Sequence, residues 1–574
     1  MKRALFVLAL TMSTISWAQL SFLDQASTIG VGYSFGINSF HGGGVSFVDF
    51  DQDGKDDLTF ATESTEKIHF FRNDGVVFTK ISLPGIDQST ESKQLLWVDY
   101  DNDGDLDFFV TSTNGPNKLY QNDGSLSFTD VTSSSGLFTE DLNTFGACFG
   151  DIDKDGDLDL FITNRGITVE QRNYLYRNDN GTFVDITVAA GINISPEQSF
   201  CAAFFDYDND GDQDIYVAND KFTNQNRFYK NNNDGTFDDV STASGTDISI
   251  DAMSTTIGDY NNDGWFDMYI TNTPNGNVLF KNNGDGTFTD VATSSGTIFS
   301  STAWGAVFLD ADLDSSLDLY VSGSMDGSNM SFLSSAFYHN NGSNVFSIPT
   351  GIGFDSEGNS SYSNAIGDFN NDGAPDIAVM NENANYYVWE NQSVHNNNWI
   401  KIKLEGITGN KDGVGNRIEI TANGKTQYRY TLCGEGYLGQ NSMSEFVGVG
   451  TATIIDEIKI IWNHSGQTET ITNIPVNQGI TIQEGNGVLR TSEEHKVDFN
   501  VYPNPSSTGV FNIRMNESAI IKQLRVYDVS GRLLLSEDKV TEMNTIDLNR
   551  LRSGVYFAKI TVGTASSTIK LIRN

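Results

Sequence analysis

One acidic string recurs seven times along this chain and constrains its fold more than any other feature. It first reads Asp49-Phe-Asp51-Gln-Asp53-Gly54, with Asp57 following, and it returns from Asp99, Asp151, Asp206, Asp259, Asp310 and Asp368. The steps are 50, 52, 55, 53, 51 and 58 residues. A period of this length means one supersecondary unit per repeat, each burying its apolar face against its neighbours. The second unit reads as four short strands at 95–98, 108–111, 118–120 and 128–131, with Asn122-Asp123-Gly124 as a hairpin turn between the last two. Four antiparallel strands make one propeller blade. The expected fold is all-β: a seven-bladed β-propeller followed by two small β-sandwich-like domains. The fourth strand has the form Phe128-Thr-Asp130, Phe183-Val-Asp185, Phe237-Asp-Asp239 or Phe288-Thr-Asp290, and the seventh unit lacks it. Phe22-Leu-Asp24 precedes the first unit. We expect it to supply the outer strand of the last blade and so leave no open edge at the seam.

The acidic strings have the chemistry of a hard-cation site. Such ions take six to eight oxygens from a tight loop. Carboxylates at positions 1, 3 and 5 point inward, Gly at 6 allows the turn, and Asp at 9 closes the shell. Four loops hold Asp at all four positions: Asp49, Asp51, Asp53, Asp57; Asp99, Asp101, Asp103, Asp107; Asp151, Asp153, Asp155, Asp159; and Asp206, Asp208, Asp210, Asp214. The fifth and seventh carry Asn at position 3: Asp259, Asn261, Asp263, Asp267 and Asp368, Asn370, Asp372, Asp376. The sixth keeps Asp310, Asp312, Asp314 and Asp318 but has Ser315 in place of Gly, which counts against that site because Ser accepts positive φ poorly. Acidic turns without metal are the plainer reading. Against it, 26 carboxylates (four loops of four, then three, four and three) would repel one another at close range without a cation. The expectation is Ca²⁺ at up to seven sites, clamping blade turns. The loops are not EF-hands, since position 12 is apolar in all seven where an EF-hand needs Glu. Apolar residues at positions 10 and 12 place a buried strand directly after each loop.

These units resemble the FG-GAP/VCBS repeats of integrin α-subunit propellers and many bacterial surface proteins, over residues 19–395. The resemblance implies calcium loops on one face and ligand contacts usually on the other. Residues 396–485 resemble an ASPIC/UnbV domain through Gly413-Val-Gly415 before Arg417, Gly434-Glu-Gly436-Tyr437 with Gln440, Gly448-Val-Gly450, and Trp462 before Ser465-Gly466-Gln467. Asn463-His464 stands where that family usually has Pro. The polar stretch 486–496 reads as a linker. Residues 497–574 resemble a type IX secretion sorting domain, carried by Tyr502-Pro503-Asn504-Pro505, Val526-Tyr527-Asp528 with Gly531-Arg532, and Gly554-Val-Tyr556. That resemblance implies the type IX secretion machinery as a partner.

Net charge narrows the partners further. With 75 acidic against 35 basic residues, a charge of −40 repels nucleic acid and anionic lipid. Residues 1–18 read as a signal peptide: Lys2-Arg3, a short apolar run, then Ser16-Trp17-Ala18. No later stretch approaches the ~20 apolar residues that span a bilayer. The chain is expected to leave through the periplasm and outer membrane, to be secreted or held at the cell surface. Three cysteines, Cys148, Cys201 and Cys433, form no disulfide framework; the first two read as core residues of similar strands, with a bond between them left open. Gly32-Tyr-Ser34-Phe-Gly36 matches a nucleophile elbow without the helix that motif needs. His41, beside three glycines, reads as an exposed loop residue. Two functions are expected from these features. The first is a non-catalytic adhesion protein binding an extracellular glycan or protein through loops such as 163–173 and 322–335. The alternative is an extracellular polysaccharide-directed enzyme with a site on the propeller face.

Overall fold

The computed structural model describes residues 20–36, 41–64, 66–75, 77–87, 90–324, 333–354, 357–394, 396–492, 499–515, 521–528, 532–540, 545–562 and 565–574. The expected signal peptide lies outside the described residues, as does part of the 322–335 loop. Seven sheets follow the seven repeats: six hold four consecutive antiparallel strands, and the last holds three completed by a strand from the start of the chain. Blade 2, for example, runs Ser92–Val98, Asp107–Ser112, Lys118–Asn122 and Phe128–Asp130. The innermost strands touch in sequence around the ring, and that of the last blade, Ser360–Gly367, returns to the first, Val45–Ser46. The ring is therefore closed. Its seam is built as the repeat pattern requires: Phe22–Asp24 pairs antiparallel with Tyr387–Asn391, Phe22 opposite Asn391.

Blades are held face to face by large apolar side chains. Trp97 is fully buried and stacks on Phe50 of blade 1 at 4.8 Å. Each such burial is worth about 1.5–3 kcal/mol. Cys148, Cys201 and Cys433 are buried and unbonded to one another. Ser34 and Phe35 bridge to Asn385 and Glu382 of the last blade, so the Gly32–Gly36 stretch is no strand–turn–helix.

Residues 398–492 form a sandwich around Ile400, Ile402, Ile418, Ile420, Val447 and Ile458. One sheet orders Ser444–Gly450, Asn398–Glu405, Gln478–Gln483 and Gly487–Ser492; the other orders Lys425–Tyr430, Arg417–Ala422, Ile454–Ile461 and Thr468–Pro475. The stretch read as a linker is thus corrected: Gly487–Ser492 is a strand paired with Gln478–Gln483. The reason is the turn before it, where Gly485 and Gly487 at φ 72° and 71° reverse the chain into a hairpin. The described residues of 499–574 have a core of their own around Phe511, Ile513, Leu524, Val526 and Ala558, with a three-stranded and a four-stranded sheet.

The sandwich sits on the acidic-loop face of the ring and touches every loop. Lys401 pairs with Asp56 at 3.2 Å and donates to Asn371 at 3.5 Å. Asp412 accepts the Asp99 amide at 2.7 Å, and Asn463 donates to the Asp151 carbonyl at 3.2 Å. Arg417 donates to Asn209, the Tyr430 ring lies 5.3 Å from Phe266, and the Gly450 amide donates to Leu313 at 2.9 Å. From this cap, residues 433–442 run down the central channel, where Gly439–Gln440 pairs parallel with Val45–Ser46 as an extra inner strand.

Candidate metal centres

Each acidic loop starts where an innermost strand ends. In all seven, the position-1 aspartate accepts the amides of positions 5 and 6 at 2.8–3.1 Å. These bonds fold the loop back on its own carboxylate. Position 6 then needs positive φ, met by Gly104 at 98° and Gly156 at 94°. The sixth loop differs from expectation here. Ser315 takes φ 77° and its amide still reaches Asp310 at 2.9 Å, so the turn forms without Gly. The two hydrogen bonds to Asp310 hold the residue in a conformation that Ser adopts at some cost.

Position 9 opens the second strand. In every blade it accepts the amide of an asparagine ending the third strand, at 2.6–2.8 Å. The result is a pocket walled by positions 1, 3, 5 and 9. Carboxylate oxygens come within 4.8 Å of one another in five loops: Asp49, Asp51, Asp53; Asp99, Asp101, Asp107; Asp151, Asp153, Asp159; Asp206, Asp208, Asp210; and Asp310, Asp312, Asp314. Asp57, Asp103, Asp155, Asp214 and Asp318 belong to the same loops outside those trios. In the other two loops no acid trio forms among the described residues. There Asn261 donates to Asp267 at 3.3 Å, alongside Asp259 and Asp263, and Asn370 donates to Asp372 at 2.9 Å, alongside Asp368 and Asp376.

Electrostatics single out the pockets. Burial pushes the Asp57 and Asp107 carboxyls up to about 9, and those of Asp151, Asp206 and Asp368 up to about 7. Several buried carboxylate oxygens have no hydrogen-bond donor: Oδ1 of Asp101, Asp153, Asp208, Asp312 and Asp314, and Oδ2 of Asp107. An acceptor buried without a donor is costly. A cation among these oxygens would satisfy them, so the donor set fits a hard metal ion. In the fourth loop the chain brings a cation of its own, since Lys230 pairs with Asp208 and, at 3.0 Å, with Asp210. In the sixth, His339 Nδ1 lies 3.0 Å from Asp318, and that bond raises the imidazole pKa.

Two sets of residues were not singled out in the sequence. The third-strand asparagine donates to the position-8 carbonyl of its own loop in all seven blades, at 3.1–3.3 Å. In Asn73, Asn178, Asn231, Asn282, Asn340 and Asn391 it also donates to the position-2 carbonyl of the preceding blade. Position 4 is left-handed in every loop, φ 55–59°. Gln52, Asn102, Asn209, Asn262 and Asn371 reach from it to the position-6 carbonyl of the next blade. Each loop is thereby tied to both neighbours. The signal was available: Asn recurs in every repeat, at a spacing from position 9 that varies with hairpin length.

The opposite face carries the other predicted features. His41 is half-buried there and not an exposed loop residue; its ring lies 5.0 Å from Trp304 and 5.6 Å from Phe200. Burial, with Arg165 and Lys93 nearby, lowers its pKa to about 3. In the neighbouring loops Ile167, Val169 and Phe222 are 80, 54 and 59% exposed, and Arg165 pairs with Asp220 between blades 3 and 4.

Comparison with known proteins agrees with this architecture. FG-GAP-like repeats match residues 49–110, 99–162, 166–217, 206–270 and 259–321; ASPIC and UnbV matches 406–489; the secretion system C-terminal sorting domain matches 500–574. Cartilage acidic protein 1 of Xenopus tropicalis is 33% identical over 115 residues, and that of Mus musculus 30%. The match covers 20% of this chain and only 17% of either relative. Among solved structures, Saccharomyces cerevisiae Sqt1 aligns at TM-score 0.36 and 8% identity, covering 66% of this chain and 99% of that one. BBS1N in complex with ARL6DN aligns at 0.41 and 11%, covering 64% and 96%. No helix among the described residues is long and apolar enough to cross a membrane, and the sorting domain directs the chain by type IX secretion to the cell surface or extracellular space. The chain is a secreted FG-GAP-repeat β-propeller protein with an ASPIC and UnbV domain and a type IX secretion sorting domain.

Proposed function

We propose that this chain is a calcium-dependent, non-catalytic binding protein of the cell exterior, taking an extracellular glycan or protein on the face opposite the acidic loops. The donorless carboxylate oxygens inside the loops carry the calcium reading. Ca²⁺ prefers such all-oxygen cages, and extracellular calcium is abundant enough for sites of ~10⁻⁴ to 10⁻³ M. The ion's role is to hold blade turns. The cap covers the loop face, which leaves the other face for recognition. There, exposed Ile167, Val169 and Phe222 on inter-strand loops suit contact with a partner.

Chelation tests the first half. Removing calcium from the full chain should lower its melting temperature by at least about 5 °C, as loss of several bound ions demands. Asp103→Ala and Asp314→Ala should each reduce bound calcium by one equivalent, as read by elemental analysis. An unchanged melt, or no calcium in the purified chain, refutes the assignment. A glycan array with the unaltered chain and with Phe222→Ser tests the second half. Binding indifferent to both calcium and Phe222 would place recognition elsewhere.

A further inference from the structure

The Gly434-Glu435-Gly436-Tyr437 motif and Gln440 are not used by the calcium loops. In the fold they form a finger that fills the channel. The finger turns on itself where Glu435 and Gly439 exchange backbone hydrogen bonds at 3.1 Å. Its hydrogen bonds then go outward to the innermost strands. Phe149 of blade 3 donates to the Cys433 carbonyl at 2.9 Å, and the Gly436 amide donates to Thr255 of blade 5 at 3.1 Å. Phe47 of blade 1 donates to the Gln440 carbonyl at 2.9 Å, and the Ser442 amide donates to Ile366 of blade 7 at 2.9 Å. The Gln440 side chain makes a pair of bonds with blade 2, from Nε2 to the Trp97 carbonyl at 2.7 Å and from the Trp97 amide to Oε1 at 2.9 Å. Its Oε1 also accepts from Ser46 Oγ at 2.9 Å.

Space is as tight as the bonding. A Cβ on Gly434 would stand 2.4 Å from the Ala147 carbonyl oxygen, and one on Gly439 would stand 2.6 Å from that of Asn364. Tyr437 and Leu438, both fully buried, reach the far mouth. There Tyr437 packs on Trp304 of blade 6 and Phe200 of blade 4, at 4.9 and 5.7 Å, and its hydroxyl donates to the His41 carbonyl at 2.7 Å. All seven innermost strands or their leading residues therefore meet one peptide.

We infer that this finger is the axle of the propeller: it fastens the second domain to the ring and ties the seven blades to one another through their common axis. An innermost strand presents unpaired amides and carbonyls to the channel. Here the finger pairs them and adds the apolar burial of Tyr437 and Leu438. The second domain is then a permanent structural half of the propeller, and its motif is a fit to that channel rather than a ligand site.

The test separates the two halves of the covalent chain. A protease site inserted after Val394, which is 69% exposed, is cut in the purified full chain. The two pieces should co-elute on size exclusion in buffer without denaturant. With Tyr437→Ala and Gln440→Ala together, they should elute apart. Arg417→Ala, which trims contacts at the rim of blades 4 and 5, should leave them together. Pieces that separate with the finger intact would overturn the inference, as would a double variant that still co-elutes, or an Arg417→Ala chain that releases as readily as the double variant. If the double variant does not fold, Tyr437→Phe decides, because it removes one hydroxyl at constant shape. It should lower the melting temperature by about 1–3 °C, and no change would overturn the inference.

Discussion

Glu484 closes the turn at 407–409 of the second domain. Its Oε2 accepts the amides of Ile407, Thr408 and Gly409 at 2.9, 2.8 and 3.2 Å, and its Oε1 accepts the Thr408 hydroxyl at 2.8 Å. Burial pushes this carboxyl up, but the donors outweigh it and hold the pKa at about 2. An unfolded glutamate titrates near ~4.3. The stability it contributes is therefore present above that pH and lost as pH falls from there toward 2. Glu484→Gln should cost about 2 kcal/mol at pH 7 by denaturant melting, with the gap to the unaltered chain narrowing below pH 4. A constant gap between pH 7 and 3 would show that charge has no part in it. At this scale the sequence was legible for the aspartates, because three or four acids at fixed spacing have few other uses. It was silent on Glu484, whose donors are backbone amides of a loop about 75 residues away.

Between blades, the recurrent element is a turn that packs on the next outer strand. At the seam, Gly353 takes φ 121°, and a Cβ there would lie 2.1 Å from the Phe22 carbonyl oxygen. The Phe22 amide donates to Ile352 at 2.6 Å in the same turn. Gly353→Ala should therefore push the Phe22–Asp24 strand off the last blade and cost at least about 2 kcal/mol. Hydrogen exchange should speed up across 22–24 and 387–391 and leave blade 4 as it was; uniform protection would contradict the packing. Strand order was readable from the repeat, since alternation and hairpin turns are local. The strand at 487–492 was missed because its polar, glycine-bordered sequence matches a linker, and only the neighbouring strand gives it a partner.

For the whole molecule, the asparagine and position-4 links join each loop to the next. On the calcium reading proposed above, metal release from one loop should loosen the carbonyls that its neighbours hold. Calcium binding followed by tryptophan fluorescence should thus be steeper than for independent sites, with a Hill coefficient of about 2 or more, and Asn231→Ala should reduce it. A coefficient of 1 in the unaltered chain would mean that the links transmit nothing. The ring itself could be read from seven repeats and a missing strand. That a second domain threads it could not, because nothing in a Gly-Glu-Gly-Tyr sequence announces that Gln440, just after it, bonds Ser46 from 394 residues away.

The cap also changes how the molecule bears load. The chain leaves the ring at Asn391, beside the seam, and continues through the sandwich toward the sorting domain. If the ring were held by that strand alone, tension from a surface tether would peel three residue pairs one after another. With the cap bonded to every loop and threaded through the hub, the same pull is spread across all seven blades at once, as a washer spreads the strain of a bolt.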